Sequence, residues 1–286
     1  MKEGFNLQNR IAILGDVHGN VTALEAVLKD CIANDVTEYW FLGDLILPGP
    51  GGHNLFEMLE RVKPTVWLNG NWEESYLQFL NGQVDINDPA DIHFAKIAER
   101  LARDLKESDV VRMKQAPIHQ IKQVNHLNFS ITHNLPNKSY GPELYPTQDQ
   151  SNFDQLFKEH EELDVAVYAH IHQPVLRYTS KGQLILNPGA VGQPYDSWPK
   201  LWSDLRAQYA IITVDDEGLQ VNFRKVSYNV DRELQRANAV NLPYLSLYEE
   251  LRKTGKAHTH NQDMLAQMNE EFGYKQDVIN YLKNKS

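Results

Sequence analysis

Short, continuous apolar runs alternate with stretches of helical period over the first part of the chain. Residues 11–16 (IAILGD) read as a buried strand, and VTALEAVLKDCIA from residue 21 places apolar side chains at 24, 27, 28, 31 and 32, the spacing of one helix face. Residues 39–44 form a second predicted strand, 53–62 (HNLFEMLERV) a second helix and 65–70 a third strand. Such a β-α-β-α-β opening predicts parallel strands with right-handed crossovers. EESYLQFL (73–80) and the charged stretch 90–107, with Ile92, Ala95, Ile97, Leu101 and Leu105, read as helices.

The character then changes. HQIKQV (119–124) and LNFSIT (127–132), separated by Asn125 and His126, predict a hairpin; DVAVYA, QLILN, QYAIITVDD and LQVNFRKVS are further strands, with a hairpin turn at DDEG 215–218. A parallel half followed by a more antiparallel half predicts an α/β fold of two packed sheets with helices outside. From Asn229 the apolar stripes are helical (234, 237, 240; 245, 248, 251; 265, 268, 272; 278, 279, 282). The predicted division is therefore a main domain over 1–228 and a helical C-terminal appendage over 229–286. That appendage can cover an exposed face, cap a site or form a homodimer surface.

Metal-binding side chains lie in five short blocks, nearly every one of which sits at the end of an apolar run. Asp16 and His18 lie in GDVHGN, Asp44 in FLGDLI, Asn71 in LNGNWE, His133 in SITHN, and His170 with His172 in YAHIHQ. Residues just past the carboxyl ends of strands share one rim of an open sheet. Two Asp, one Asn and four His make a set without thiolate, suited to Mn, Fe or Zn. Seven ligands exceed the need of one tetrahedral ion and fit two ions sharing a carboxylate, the arrangement that hydrolyses phosphate esters and anhydrides. Taken singly, an Asp or Asn after a strand is usually a turn former or helix cap, and a lone His more often a satisfied surface or core residue; five blocks together change that reading.

These blocks resemble the calcineurin-like metallophosphoesterase pattern D-x-H, G-D, G-N-(H/C)-(D/E), (G/T)-H and G-H-x-H, read here as D-V-H, G-D, G-N-W-E, T-H and A-H-I-H, with NPGAVGQP at 187–194 extending the likeness. The resemblance covers roughly the first 225 residues and implies a four-layer α/β/β/α sandwich. It also implies that Asp16, His18 and His172 hold one ion, Asn71, His133 and His170 the second, and Asp44 bridges them. Asp44, Asn71 and His133 would then be catalytic, and hydrolysis would proceed by a hydroxide bridging two ions, Mn and Fe above all and Zn as an alternative. Within the superfamily, G-N-W-E, the L-P-G-P loop and DLRAQY at 204–209 are most similar to the bacterial branch that splits diadenosine tetraphosphate asymmetrically into ATP and AMP and cleaves other phosphodiesters. A phosphodiesterase or protein phosphatase with another substrate is the alternative; an inactive metal-binding interaction scaffold is the alternative of a different class.

Trp72 departs from the family, many of whose members carry His there to protonate a leaving group. An indole N–H only donates, so the substitution favours weakly basic leaving groups such as a nucleotide phosphate. Trp72 can also stack on a base or pack in the core. Asn187 and the Gly189 backbone are expected at the substrate rim, with Tyr195 and Trp198 as candidate base-stacking residues. Glu73 is expected to orient a ligand or cap a helix. His258 and His260, in the polar KAHTHNQ segment, read as surface residues, and His93 has no motif to support it.

Composition narrows partners. The chain has 286 residues and a formal net charge of −10, which disfavours duplex nucleic acid. A mean hydropathy of −0.51 and no apolar run approaching the roughly 18 residues of a span argue against a membrane partner. One cysteine, Cys31, read as core packing, excludes an internal disulfide, and MKEGFNLQNR lacks a stretch of signal-peptide character. A cytoplasmic protein acting on a small dinucleoside polyphosphate or phosphodiester is the resulting expectation.

Overall fold

The computed structural model describes residues 9–158, 160 and 162–285; the reading of residues 1–8 as free of an export signal lies outside it, as does Ser286 of the appendage. Ten strands and ten α-helices are described. In chain order they are β1 (Asn9–Leu14), α1 (Val21–Ala33), β2 (Glu38–Phe41), α2 (His53–Val62), β3 (Val66–Trp67), α3 (Asn71–Leu80), α4 (Pro89–Leu101), α5 (Glu107–Gln115), β4 (His119–Val124), β5 (Leu127–Thr132), α6 (Gln150–Asp154), β6 (Val165–Val167), β7 (Pro174–Tyr178), β8 (Leu184–Pro188), β9 (Ala207–Asp215), β10 (Gly218–Val226), α7 (Val230–Ala239), α8 (Leu245–Thr254), α9 (Gln262–Glu271) and α10 (Tyr274–Lys285).

Two five-stranded sheets result, ordered β10-β9-β1-β2-β3 and β4-β5-β6-β8-β7. The β1-β2-β3 and β5-β6-β8 pairings are parallel, as the βαβ opening requires, and the flanking strands are antiparallel. Strand alternation decides the layers. Ile11 and Ile13 of β1 face Phe129, Ile131, Val165 and Val167 of the other sheet in a sealed inter-sheet core, whereas Ala12 and Leu14 point the opposite way into α1 and α2. The outer face of the second sheet is covered by a thinner layer, with Phe153, Leu156 and Phe157 on Ala166, Tyr168 and Ile185. This is the expected α/β/β/α sandwich with C-terminal helices.

Those helices join the first core: Tyr244, Leu265 and Val278 belong to the same buried cluster as α1 and α4. Cys31 is fully buried in it.

Several boundaries differ from expectation. The stretch 90–107 stops being helical at Leu101, where Arg100 is drawn to the Pro50 carbonyl (2.9 Å), and a separate helix, α5, starts after Lys106, whose N–H donates to Asp109. The edge strand β7 carries an unremarkable sequence, PVLRY, and pairs on one side only. Helix α3 begins at Asn71, earlier than residue 73, so Asn71 and Trp72 open a helix.

Candidate metal centre

All seven predicted ligands converge at one end of the two sheets. Asp16, His18, Asp44 and His172 present donor atoms within 4.8 Å of one another, and Asp44 forms a second such group with His133 and His170. Asn71 completes that second group: its Oδ1 lies 2.9 Å from His170 Nδ1 and 3.3 Å from His133 Nε2. Asp44 is the carboxylate common to both, with Oδ2 3.6 Å from His18 Nε2 and 3.4 Å from His133 Nε2.

Ring orientation is set by the backbone. His18 Nδ1 is 3.0 Å from the Leu47 carbonyl and His133 Nδ1 is 2.7 Å from the Leu42 carbonyl. Since a carbonyl only accepts, both rings carry a proton on Nδ1 and turn Nε2, the nitrogen left to titrate or to ligate, inward. His170 is held the other way, its Nε2 accepting from the Gly141 N–H at 3.1 Å while Nδ1 faces Asn71. His172 Nε2 meets His18 Nε2 at 2.9 Å and lies 3.5 Å from Asp16 Oδ1.

Both Asp16 oxygens and Asp44 Oδ2 are buried without a hydrogen-bond partner. Three orphaned carboxylate oxygens facing imidazole nitrogens would be costly in a dry interior, and shared cations would satisfy them. The acidities carry the same signature. Burial, with Asp44 beside it, pushes the Asp16 carboxyl well above its usual range. Burial lowers His18 and His170 to about 4. For His133 burial pulls downward, but the Asp44 carboxylate prevails and raises it to about 9. The donor set therefore fits metal ions: imidazoles, carboxyl groups and one amide oxygen, without thiolate.

Glu73 stands behind the ligands. Its buried carboxylate accepts four backbone N–H groups, from Gly70 (2.8 Å), Asp44 (2.8 Å), Leu45 (2.8 Å) and Ile46 (3.3 Å). It caps α3 and orients Asp44 at once, so the two expected roles coexist. Burial, then repulsion from Asp44, raises its pKa to about 7 against these donors.

The ligands open onto a cleft of about 800 Å³. Trp72 stands at its inner end, edge-on to the His18 ring at 5.4 Å and tilted against Phe94 at 5.6 Å. Tyr145, Tyr195 and Trp202 line it further out, and so does the linker between α8 and α9, through Lys256, Thr259 and His260. That linker, Phe94 and Trp202 carry no motif, and only tertiary packing brings them to the cleft. His93 also lines it, buried edge-on against Tyr244 at 4.5 Å. Asn187 and Gly189 lie elsewhere. Fully buried, Asn187 donates to the Ala169 carbonyl (2.8 Å) and accepts from the Gly189 N–H (2.9 Å), which ties it to the residue before His170. Gly189 has φ +79°, and a Cβ there would sit 2.3 Å from Gln208 Oε1. Trp198 is exposed outside the cleft. The surface reading of His258 is corrected: the linker folds beneath α8, burying the ring 2.9 Å from Glu250 Oε2.

Two sheets ending in a rim of paired imidazoles and carboxylates define a metal-dependent phosphoester hydrolase. Residues 10–217 match the model of the calcineurin-like phosphoesterase superfamily domain, and the chain belongs to that superfamily. A curated relative is an uncharacterized protein of Methanocaldococcus jannaschii, 21% identical over 252 residues covering 83% of this chain and 95% of the relative. Among solved structures, a metallophosphoesterase from Sphaerobacter thermophilus aligns with a TM-score of 0.65 at 24% identity, covering 86% of this chain and all (100%) of that one. A hypothetical protein from Pyrococcus horikoshii aligns at 0.68 and 20% identity, covering 87% and 99% of the two chains. At these identities the solved structures bear on the fold alone. No helix among the described residues is long and apolar enough to cross a membrane.

Proposed function

We propose that the chain hydrolyses a phosphoanhydride or activated phosphodiester attached to a nucleoside, with asymmetric cleavage of diadenosine tetraphosphate to ATP and AMP as the leading reaction. The observation that carries this reading is Trp72 edge-on to the ligand His18 at the inner end of an aromatic-walled cleft. A π-face beside the centre offers a base a stacking surface worth on the order of 1–3 kcal/mol. The same residue cannot donate a proton to an alkoxide, which favours leaving groups that need no protonation. Two ions, when bound, would supply positive charge for phosphoryl oxygens and a lowered pKa for coordinated water.

The protein's own residues would do the rest. Asp16, His18 and His172 would hold one ion, Asn71, His133 and His170 the other, and Asp44 both. Water adds to phosphorus, the P–O bond to the leaving nucleotide breaks, and one proton is released. The Leu42 and Leu47 carbonyls keep His133 and His18 in the ligating tautomer throughout. The dinucleotide is a small, cytoplasmic partner in this reading.

A specific observation favours a second substrate class. Lys256 is the only Lys or Arg lining the cleft among the described residues, while Asp88 and Asp91 also line it. That balance suits a singly charged nucleoside phosphodiester over a polyphosphate. After Mn²⁺ reconstitution, products from diadenosine tetraphosphate, a cyclic nucleotide, a phosphodiester and a phosphopeptide would be compared. ATP plus AMP supports the leading reaction and ADP alone refutes it. Turnover of the diesters alone supports the second class, and turnover of the phosphopeptide alone a protein phosphatase. No hydrolysis by metal-loaded protein would leave a binding scaffold.

A further inference from the structure

The loop carrying Asp16 and His18 is braced from outside the family domain. The Gly192 N–H donates to the Asp16 carbonyl (2.9 Å) and the Val191 N–H to the Gly15 carbonyl (3.0 Å), so residues 191–192 strap the ligand loop. The fit leaves no room: a Cβ on Gly192 would lie 1.7 Å from the Val17 oxygen. The same strap reaches the other side of the centre, where the Tyr195 N–H donates to the His172 carbonyl (3.1 Å).

Two buried ionic side chains of the C-terminal helices hold this assembly. Arg252 of α8 donates to the Gly192 carbonyl, which also accepts from Asn20 Nδ2 (3.2 Å). Glu233 of α7 accepts from the Thr22 N–H (2.9 Å), one of the orphan donors in the first turn of the helix that follows His18. Tyr248 joins the two, its hydroxyl donating to Glu233 (3.1 Å) and its ring lying 5.2 Å from the Arg252 guanidinium. Glu233 is fully buried and Arg252 4% exposed. Burying a charge so deeply is costly unless it is paired or hydrogen-bonded, and folding of α7 and α8 alone has no need of a carboxylate aimed at α1 or a guanidinium aimed at Gly192.

We propose that Glu233 and Arg252 are positioning residues for the ligand loop, so that α7 and α8 are required to build the half of the metal centre formed by Asp16, His18 and His172. Asn71 and His133 hang on other elements, and His170, although on the loop of His172, is held by Asn71 Oδ1 (2.9 Å) and the Gly141 N–H (3.1 Å), none of which touches Glu233 or Arg252. The inference rests on the metal-centre reading and not on any substrate.

The test is a Co²⁺ titration of the metal-free full chain, followed by visible absorption and by metal content after gel filtration, with no substrate present. The wild type should take up two ions. Arg252→Met and Glu233→Gln should weaken one of the two on the order of tenfold or more, the size expected when a group supporting a ligand is lost, and leave the other within about twofold. Arg252→Lys, which keeps a donor for the Gly192 carbonyl, should recover most of the loss. Leu265→Ala on α9, a fully buried leucine against α4, is the control for lost stability and should leave both affinities unchanged. Should Arg252→Met not fold, Glu233→Gln and Arg252→Lys carry the comparison. Two unchanged affinities in the folded variants, or equal weakening by Leu265→Ala, would overturn the proposal. Product analysis of the wild type stands apart, so a wrong substrate would leave this result intact.

Discussion

Replacing Glu73 by glutamine exchanges one carboxylate oxygen for an NH₂ while keeping the shape. Four backbone N–H groups converge on the two oxygens: Gly70 and Asp44 on one, Leu45 and Ile46 on the other. An amide accepts on one side only, so two of the four donors would confront another donor. The amide should turn its oxygen to Gly70 and Asp44, because the 3.3 Å contact from Ile46 is the weakest of the set. A buried donor left unsatisfied costs about 1–3 kcal/mol, and with one weak bond among the two lost the expected destabilisation is about 2–4 kcal/mol. Part of this is offset in the metal-free protein, where the Glu73 charge repels Asp44 and burial already raises its pKa to about 7. Cations would cancel that repulsion, so the larger loss is expected with metal bound. Denaturant unfolding of wild type and Glu73→Gln, each with and without Mn²⁺, measures it as a midpoint shift at unchanged m. A metal-loaded variant within about 0.5 kcal/mol of wild type, the scatter of ordinary surface substitutions, would refute the assignment of these four bonds to Glu73.

Asp44→Asn should abolish hydrolysis and weaken both ions, since Asp44 alone belongs to both donor groups; near-normal turnover would remove its bridging role. Trp72→His should raise monoester turnover relative to anhydride turnover if leaving-group protonation limits the former, and an unchanged ratio in steady-state assays would count against that account. The metal-free protein should lose stability as pH rises from about 6.5, the unperturbed histidine value, to about 9, because Asp44 raises His133 to about 9 in the fold. A histidine whose folded pKa exceeds its unfolded one stabilises below the unfolded value, and that contribution vanishes as pH passes the folded one. Urea midpoints across this window should fall for metal-free wild type and stay level for metal-free His133→Asn.

The donor cluster was legible in the sequence because five blocks repeat the same placement after an apolar run, which turn formers or caps taken singly do not explain. The layers were legible for a similar reason: residues such as Ile11 and Ile13 against Ala12 and Leu14 sort by alternation alone. Elements whose cause is distant were not. Helix α5, ESDVVRMKQ, is fully buried only at Met113 and Asp109, so its apolar face is too slight to register. His258 was misplaced because a polar segment becomes buried only when the α8–α9 linker folds beneath α8. For Asn187 the loop motif identifies a turn near the centre, but not that its side chain is buried on the Ala169 carbonyl and the Gly189 N–H. Glu73 announced a helix start, and nothing local revealed that three of its four donors lie across a loop at 44–46.

Backbone conformation explains why a chain can hold such a centre at all. Asp16, His18, Asp44, His170 and His172 all have positive φ, between 51° and 66°. A left-handed non-glycine residue costs on the order of 1–3 kcal/mol, with Asp and His among the better tolerated. At the low end of that range five such residues still cost about 5 kcal/mol, comparable to the whole net stability of a marginal domain. They persist because the loops bind one another: the Asp16 N–H donates to Gly43 (3.0 Å), His18 to Asp44 (2.9 Å), Gly19 to Leu45 (2.9 Å) and Ala169 to His133 (2.9 Å). The first three bonds tie the Asp16–His18 loop to that of Asp44 and the fourth ties the His133 loop to that of His170 and His172, so within each pair one loop cannot relax without moving the other. The strain is thereby shared within each pair of loops, and the inward aim of the donors is set before any cation arrives.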